Sequence, residues 1–354
     1  MRVLIFENSY RDLALSRIPL GSFFEKKEHF VSYACPSPPS GELIYKINLS
    51  RNRVPFFSLI KAILSLKKIE REERIDCVLS FRLTPNILNY FASFFGRKRN
   101  RVAVITGLGY AFVYRGPKHK LLRFLVVKFY KLAEKRLKII TQNPDDLVDL
   151  GLRSGEVIFG SGIANRASET CLRSDVGRLR LLFAGRLLKS KGIDDAIITF
   201  KEIRRKTKNA TLVIAGDIDT DNPDSLSRRS LNDLKGIEGV EFLDHVNNMD
   251  SVYANADVLL FPSRYREGVP RVIIEALSFG LTIVTKNMPG CRETMNNNGI
   301  LIDENFVREA SEYVVLLTEK SLASNSSGSI KLFKEKFSSD VIFPQYLNAI
   351  LLDR

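Results

Sequence analysis

The chain has 354 residues, 45% of them hydrophobic, and a net charge of +14. This length exceeds what one hydrophobic core commonly serves, so we expect two domains. No apolar run reaches the length of a transmembrane helix, and the segment after Met1 meets charged and turn residues too early for a signal peptide. These features argue against membrane-spanning and secreted proteins and predict a cytoplasmic one.

The positive charge lies in one half of the chain. Residues 1–165 hold 28 Lys and Arg against 14 Asp and Glu, whereas residues 166–354 hold 26 of each kind. The first half therefore carries the whole excess. We expect it to face an anionic partner, which could be phospholipid, nucleic acid or a phosphate-bearing substrate.

Cysteine and histidine positions do not indicate a metal centre. The four cysteines have neither paired nor metal-type spacing and are interpreted as packing or surface residues: Cys35, Cys77, Cys171 and Cys291. The three histidines are interpreted as surface or helix-end residues: His29, His119 and His245. Activity without a metal is expected.

Short apolar runs alternate with stretches of helical periodicity, which predicts α/β domains with parallel sheets. The predicted strands of the first half are Arg2–Phe6, Cys77–Ser80, Val102–Ile105 and Leu137–Ile140. After a polar stretch the strands resume with Leu179–Ala184, Leu212–Ala215, Val240–Leu243, Val258–Phe261 and Thr282–Val284. Two open parallel sheets would bind a ligand at their carboxyl edges.

The polar stretch Asn165–Arg178 predicts the boundary between a domain of residues 1–165 and one of residues 166–340. The Ser- and Asn-rich segment Ser321–Ser329 is interpreted as a surface loop. The segment Ile342–Leu352 has helical periodicity and predicts a terminal helix.

The segment ADVLLFPSRYREGVPRVIIEALSFG, residues 256–280, combines a buried strand, a charged loop and a helix start. Pro270 is expected at the first helical position, where its missing N–H costs nothing. Glu267 then lies at the helix mouth and Glu275 inside the helix. The free N–H groups of that helix start favour a diphosphate or sugar hydroxyls. Taken alone, glutamates at this spacing could equally reflect the helix dipole.

A second segment, FAGRLLKSKGIDDAI, begins at Phe183. A buried strand ends at Gly185 and is followed by Arg186 and Lys191. Two cations at the carboxyl end of a parallel strand would neutralise a diphosphate leaving group. A solvated basic loop is the alternative interpretation.

Together these segments resemble glycosyltransferase family 4, whose members have the GT-B fold, α/β with two Rossmann-like domains whose parallel sheets face each other across a cleft. The resemblance covers nearly the whole chain. It implies that Arg186 and Lys191 bind the donor diphosphate, that Glu267 lies by the transferred sugar and that Glu275 holds the nucleotide ribose. The other residues it places at the donor are Gly185, Gly268, Val269, Pro270 and Arg271. It further implies that residues 341–354 join the first domain and that Gly290, after Met288, allows a close backbone approach.

The first half resembles a narrower branch, which extends sugars on polyprenyl-diphosphate carriers. ITGLGYAF from Ile105 is similar to a Thr-Gly-Leu-Gly signature of that branch, and LSRIPL from Leu15 is similar to its Phe-Arg-x-Pro-Leu segment. By residue type, Gly107 and Gly109 permit a tight turn, and Arg17 could meet phosphate. The chain departs from the family at Ala164, where many members have aspartate, and it has no histidine near Gly107.

The segment PKHKLLRFLVVKFYKLAEKRLKII, from Pro117, predicts a basic amphipathic helix. One arc holds the cations together with Phe124 and Val127. The opposite arc, predicted to pack on the sheet, holds Leu121, Leu125, Phe129 and Leu132. Such helices bind anionic lipid, and the basic FGRKRNR segment from Phe95 supports this interpretation. An ordinary helix with a solvated face is the alternative.

The resemblance implies a retaining glycosyltransferase that needs no cofactor or metal. The donor is expected to be a nucleotide diphosphate sugar, a UDP-sugar, carrying a hexose or N-acetylhexosamine. The acceptor is expected to be a polyprenyl-diphosphate-linked saccharide of O-antigen or capsule biosynthesis, at the inner face of the plasma membrane. Two alternatives remain from the sequence: a nucleotide-sugar epimerase of the same fold, and a basic nucleic-acid-binding protein. The latter is disfavoured because the apolar residues among the cations of the basic helix are mostly aliphatic and no recognised nucleic-acid module is present.

Overall fold

The computed structural model of the chain describes residues 1–47, 56–114, 116–164, 178–219, 224–243, 246 and 248–351. The chain divides into two compact units, Met1–Ile163 with Ser339–Arg354, and Ala164–Ser338. Of the predicted boundary stretch, only Arg178 lies among the described residues. Cys171, His245 and Leu352 also lie outside them.

The first unit is built on a seven-stranded parallel sheet. Its strands are β1 (Arg2–Phe6), β2 (Phe30–Cys35), β3 (Ile44–Lys46), β4 (Cys77–Phe81), β5 (Asn100–Ile105), β6 (Lys138–Thr141) and β7 (Gly155–Val157). Their order is β3-β2-β1-β4-β5-β6-β7, so the winding reverses between β1 and β4. The loops after the strands share the carboxyl edge of the sheet, where open α/β sheets bind ligands.

Helices cover this sheet and close its core. They are α1 (Tyr10–Asp12), α2 (Ile18–Glu25), α3 (Phe56–Glu72), α4 (Leu83–Ala92), α5 (Tyr110–Val113), α6 (Pro117–Ala133) and α7 (Pro144–Leu150), with a π-helical turn at Leu13–Arg17. The terminal helix, Ser339–Leu351, packs into the same core through Ile342, Phe343 and Tyr346. The Tyr346 hydroxyl donates to the Gly160 carbonyl oxygen at 3.0 Å, which fixes this helix against the loop after β7.

The second unit is built on a six-stranded parallel sheet. Its strands are β8 (Arg180–Ala184), β9 (Thr211–Ala215), β10 (Val240–Leu243), β11 (Val258–Phe261), β12 (Thr282–Lys286) and β13 (Gly299–Ile302). Their order is β10-β9-β8-β11-β12-β13, which is the doubly wound order of dinucleotide-binding sheets, with the reversal between β8 and β11. The structure therefore confirms the predicted α/β class with two parallel sheets.

The helices of the second unit bury one apolar face each. They are α8 (Ile193–Lys206), α9 (Arg228–Lys235), α10 (Asp250–Ala254), α11 (Arg271–Ser278), α12 (Phe306–Val315) and α13 (Glu319–Leu332), and a π-helical turn follows at Phe333–Phe337. The terminal helix, α14, belongs to the first unit. In α8 the buried residues recur at helical spacing, Ile193, Ala196, Ile197, Phe200 and Ile203. Among the described residues no helix is long and apolar enough to cross a membrane.

The strands that were not predicted lie at a sheet edge or next to one. They are β2, β3, β7 and β13. In the first sheet, β3 and β7 are three residues long and have no fully buried residue. Only the last two residues of β2 are buried. Outer strands bury less apolar surface than central ones, so their sequences lack the continuous hydrophobic runs that identify β4 and β11.

The segment Ser321–Ser329 is helical, and the prediction of a surface loop there is wrong. Thr318 caps α13, because its hydroxyl accepts from the Ser321 backbone N–H while the Ser321 hydroxyl accepts from the Thr318 N–H. Asn325 and Ser329 are buried, and the Ser329 hydroxyl donates to the Leu281 carbonyl oxygen at 2.7 Å. Such tertiary partners satisfy polar side chains that would otherwise compete with the helix backbone.

Helix α6 buries a different face from the one predicted. Val126, Tyr130 and Ala133 pack inward. Leu121, which was predicted to lie against the sheet, is 60% exposed, and Leu125 and Leu132 are also exposed. Apolar residues occur around most of this helix, so periodicity alone does not select the inner face.

A buried ionic network holds α3 and α4 to the first sheet. The Glu70 carboxylate is fully buried and accepts from Arg101 at 2.8 Å and from Lys67 at 2.6 Å. Arg101, at the start of β5, also donates to the Asn89 side-chain oxygen at 2.7 Å. Removing one partner from such a pair leaves an uncompensated buried charge, which costs more than the intact pair contributes.

Glu70→Gln is therefore expected to lower the stability of the protein by about 3 kcal/mol, because Arg101 stays buried without its counter-charge. The midpoint of urea denaturation, followed by circular dichroism, measures this loss. Glu72→Gln is the matched control, since Glu72 lies on the same helix, is exposed and has Lys68 only at 3.7 Å. It should change stability by less than about 0.5 kcal/mol. Equal shifts for both variants would contradict the assignment.

Candidate active site

The second sheet brings the two predicted motifs together at its carboxyl edge. Strands β8 and β11 are hydrogen-bonded neighbours, so the segments that follow them start side by side. Arg186 follows β8, and Glu267 lies in the loop after β11. Leu188 N–H donates to the Arg186 carbonyl oxygen at 2.8 Å and Lys191 N–H to the Leu188 carbonyl oxygen at 3.0 Å, which makes Arg186–Lys191 a tight turn.

Lys191 and Glu267 form a direct ion pair across this edge. The Lys191 ammonium donates to Glu267 Oε1, and both side chains are mostly buried. The ammonium also lies 5.6 Å from the Phe261 ring centroid and 5.3 Å from that of Tyr265. Aromatic faces attract a cation, so the carboxylate and the two rings hold this charge at one position.

Arg186 is held by a residue that the motifs did not identify. Its guanidinium donates to Asp219 at 2.8 Å, and the Asp219 backbone N–H is held in turn by the Ser225 hydroxyl at 3.0 Å. Asp219 lies in the loop after β9, the neighbour of β8. In the sequence Asp219 is one of two aspartates, with Asp217, that follow a predicted strand, and nothing there pairs it with Arg186.

Helix α11 begins one residue later than predicted. Arg271 is the first helical residue, and Pro270 is the N-cap with extended backbone, φ −63° and ψ 118°, so its placement at the first helical position is wrong. As the N-cap, Pro270 accepts the first hydrogen bond of the helix at its carbonyl oxygen, from Ile274 N–H at 3.2 Å. Gly268 and Val269 precede it, and Val269 is buried.

Glu275 is fixed inside α11 by two donors. Its carboxylate accepts from Arg271 Nε at 2.8 Å, one helical turn earlier, and from the Tyr253 hydroxyl at 3.0 Å. The Tyr253 ring stacks on Phe279 with centroids 5.7 Å apart. Tyr253 was not predicted as a site residue, because it lies just before the motif segment, 22 residues from Glu275, and nothing in the sequence links the two.

Glycines allow close contact between neighbouring backbones at two places in the second unit. A Cβ atom at Gly290, whose φ is +86°, would overlap the Gly268 carbonyl oxygen. The loop after β12 therefore packs directly against the segment beside Glu267. Gly185 has φ +140°, and Gly216 packs against its backbone from the loop after β9.

The site residues predicted in the first unit differ in their surroundings. Gly107 and Gly109 follow β5 with φ of +108° and +60°, the left-handed region that favours glycine, and Gly109 is the N-cap of α5. Arg17 is 3% exposed and its Nε donates to the buried Glu7 carboxylate at 2.9 Å, so the prediction that it meets phosphate is wrong. A guanidinium neutralised inside the core has no surface to offer an anion.

The cysteines in the described segments are buried, and the histidines there contact neighbouring groups of the chain. Cys35, Cys77 and Cys291 are buried free thiols, and burial raises the pKa of Cys77 and of Cys291 to about 12. The His119 ring packs on Tyr114, and His29 lies beside the terminal amine of Met1. Within those segments no group of three His, Cys, Asp or Glu side chains could hold a metal ion.

Comparison with known proteins identifies the second unit. Residues 178–320 match the family described as Glycosyl transferases group 1, and this range contains both motifs and Asp219. The chain is 25% identical over 327 residues to the capsular polysaccharide biosynthesis glycosyltransferase CapM of Staphylococcus aureus, covering 86% of this chain and 83% of that protein. It is also 25% identical over 327 residues to the N,N'-diacetylbacillosaminyl-diphospho-undecaprenol alpha-1,3-N-acetylgalactosaminyltransferase of Campylobacter jejuni, covering 86% and 84%.

Solved structures share the fold over the whole chain. Sucrose-phosphate synthase from Thermosynechococcus elongatus superposes with a TM-score of 0.81 at 14% identity, covering 98% of both chains. HepE from Anabaena, solved in complex with UDP and glucose, gives a TM-score of 0.77 at 16% identity and 99% coverage of both. Residues 178–320 thus form a group 1 glycosyltransferase domain, and the two doubly wound sheets give the chain the GT-B fold of these solved structures.

Proposed function

We propose that the protein is a retaining glycosyltransferase, which moves a hexose or N-acetylhexosamine from a UDP-sugar onto a polyprenyl-diphosphate-linked saccharide. The observation that carries the proposal is the Lys191–Glu267 ion pair at the carboxyl edge of the second sheet, with Arg186 on the same turn as Lys191. The relatives support it, because CapM serves capsular polysaccharide biosynthesis and the Campylobacter enzyme is named for a diphospho-undecaprenol substrate. The complex of HepE with UDP and glucose supports a UDP-sugar donor.

The second unit would bind the donor, with its diphosphate at Arg186 and Lys191. Negative charge grows on the departing phosphate as the glycosidic bond to it breaks, and positioned cations stabilise that charge most in the transition state. Both cations now have carboxylate partners, Asp219 and Glu267. These partners keep the side chains in place before the donor arrives, and a diphosphate with two charges can then take the same donors.

The start of α11 would hold the rest of the donor. Its backbone N–H groups carry partial positive charge, and Gly268, Val269, Pro270 and Arg271 lead into it. We assign Glu267 to the transferred sugar, where its carboxylate orients hydroxyls and shields developing positive charge. Glu275, fixed by Arg271 and Tyr253, is assigned to the ribose hydroxyls.

The first unit would bind the acceptor at an anionic membrane surface. The outer face of α6 combines Lys120 and Lys128 with exposed Phe124 and Leu125, and the Lys128 ammonium lies 6.0 Å from the Phe124 ring. This face continues into the segment after α4. Its exposed Phe94 has the Arg136 guanidinium 3.9 Å from its ring, and Tyr90 packs on Phe129 of α6 with centroids 5.6 Å apart. Exposed aromatic and aliphatic groups interleaved with cations are typical of interfacial helices.

Lys191→Ala and Arg186→Ala are each expected to lower turnover by about 100- to 1,000-fold, because each removes one donor from the leaving phosphate. The assay follows transfer from a panel of UDP-sugars to undecaprenyl-diphosphate-linked N-acetylhexosamine. Lys189→Ala is the matched control, since Lys189 is an exposed lysine on the same turn. It should retain turnover within about twofold. Comparable activity of Lys191→Ala and Lys189→Ala would remove the basis of the proposal.

Transfer is expected to continue at an unchanged rate in excess EDTA, because two protein cations take the part that a divalent metal plays at a diphosphate. The same assay measures it, with a glycosyltransferase known to need a metal as the positive control for chelation. Loss of activity that returns on adding Mg²⁺ or Mn²⁺ would refute metal independence.

Changing both Phe124 and Leu125 to serine is expected to weaken binding to vesicles of phosphatidylglycerol at least tenfold, since two apolar side chains no longer enter the interface. Cosedimentation at physiological salt measures this affinity. Val148→Ser is the control, because Val148 is 78% exposed on α7, outside the α6 face. Unchanged vesicle affinity, or tighter binding of the parent protein to single-stranded DNA than to vesicles, would refute the membrane assignment.

A further inference from the structure

A polar network crosses the carboxyl edge of the first sheet, away from the residues assigned to the donor. Glu7 directly follows β1 and Arg82 directly follows β4, its hydrogen-bonded neighbour. Glu7 is fully buried and accepts from Arg17 at 2.9 Å on one oxygen, while Arg82 Nε lies 3.4 Å from the other. One carboxylate therefore joins an inner and an outer arginine.

At the inner end of the network, the Arg17 guanidinium contacts other side chains inside the protein. The Arg17 guanidinium stacks 3.7 Å above the Phe81 ring and donates to the Ser161 hydroxyl at 3.1 Å. Gln142, after β6, reaches the same hydroxyl at 3.5 Å. Loops after four different strands are tied together by these contacts, which gives the outer end a rigid base.

The outer end presents an ion pair to solvent. Arg82 Nη2 lies 2.8 Å from Asp12 Oδ2, and the two side chains are 41% and 35% exposed. The Ser9 hydroxyl donates to the same carboxylate at 2.6 Å. Although burial opposes its ionisation, the Arg82 guanidinium and the Ser9 hydroxyl lower the pKa of Asp12, so the carboxylate is charged at neutral pH.

The backbone at Arg82 adopts a conformation that arginine disfavours. Its φ is +73°, in the region that glycine occupies most readily, and it is the N-cap of α4. Its N–H donates to the Val104 carbonyl oxygen at 3.0 Å, which ties it to β5 just before Gly107 and Gly109. Strained residues and buried ion pairs cost stability, and both cluster at functional sites.

We infer that Arg82 and Asp12 form the subsite for the acceptor sugar, an inference that rests on the proposed transfer reaction. A guanidinium beside a carboxylate offers fixed donors and acceptors together, which matches neighbouring hydroxyls that each donate and accept. The two arginines of the network are balanced by the Glu7 and Asp12 carboxylates, and Asp12 would repel a phosphate. The subsite therefore takes an uncharged polyhydroxyl group in preference to the diphosphate of the carrier.

The test compares two acceptors that carry the same sugar: undecaprenyl-diphosphate N-acetylhexosamine and the phosphate-free octyl N-acetylhexosaminide. Asp12→Asn and Arg82→Gln are expected to raise the acceptor KM about ten- to a hundredfold for both, because each loses a charge-assisted hydrogen bond to a hydroxyl. The donor KM and the thermal stabilisation by UDP should stay within about twofold of the parent values. Arg153→Gln is the matched control, since Arg153 is exposed at the opposite edge, before β7. It should leave both KM values unchanged.

Unchanged acceptor KM in Asp12→Asn, which keeps the backbone at residue 82 intact, would overturn the inference. A rise confined to the diphosphate-bearing acceptor would overturn it as well, since the site would then recognise phosphate. Saturation-transfer NMR with the octyl glycoside requires no donor. If the parent protein binds this glycoside through Asp12 and Arg82 yet transfers no sugar, the proposed reaction fails and the sugar subsite stands. If the parent protein and both variants transfer sugar at the same rate, the subsite fails and the reaction stands.

Discussion

Within each sheet all strands are parallel, so each crossover returns the chain to the amino edge of that sheet and each strand delivers its following loop to the carboxyl edge. This constraint gathers residues that are far apart in the chain. It places Arg186, Asp219 and Glu267 around adjacent strands of the second sheet, and Glu7 and Arg82 around adjacent strands of the first. In each unit the polar groups converge beside the position where the strand order reverses.

Charge at both edges is compensated inside the protein. Lys191 pairs with Glu267 and Arg186 with Asp219 in the second unit, and Arg17 and Arg82 share Glu7 in the first. A cation that is already paired keeps a defined position, because its side-chain freedom is lost on folding and not on binding. The two edges differ in what they leave accessible. The second offers cations next to a helix start, whereas the first offers a balanced ion pair.

The surface of the first unit explains the uneven charge of the chain. The excess of Lys and Arg in residues 1–165 includes α6, whose exposed face carries apolar side chains among the cations. The inner arginines of the unit, Arg17 and Arg101, contribute to the same count but are buried and paired with Glu7 and Glu70. The number of Lys and Arg residues therefore overstates the cationic surface that a lipid headgroup or a substrate would meet, whereas each buried pair cancels in the net charge.

The sequence by itself determined the α/β class, the central strands and both motifs of the second unit, because central strands of a parallel sheet are continuous apolar runs and the motifs are local in the chain. It did not determine the outer strands, the helix at residues 319–332 or the inner face of α6, since each depends on which neighbour buries it. Long-range packing likewise decided which charged side chains are buried and which are exposed. Arg17 and Arg82 are each followed by an apolar residue in the sequence, yet the folded chain buries the first in the core and leaves the second partly exposed. Asp219 and Tyr253 could not be assigned to the site from the sequence either, because their contacts with Arg186 and Glu275 join separate segments and exist only in the folded chain.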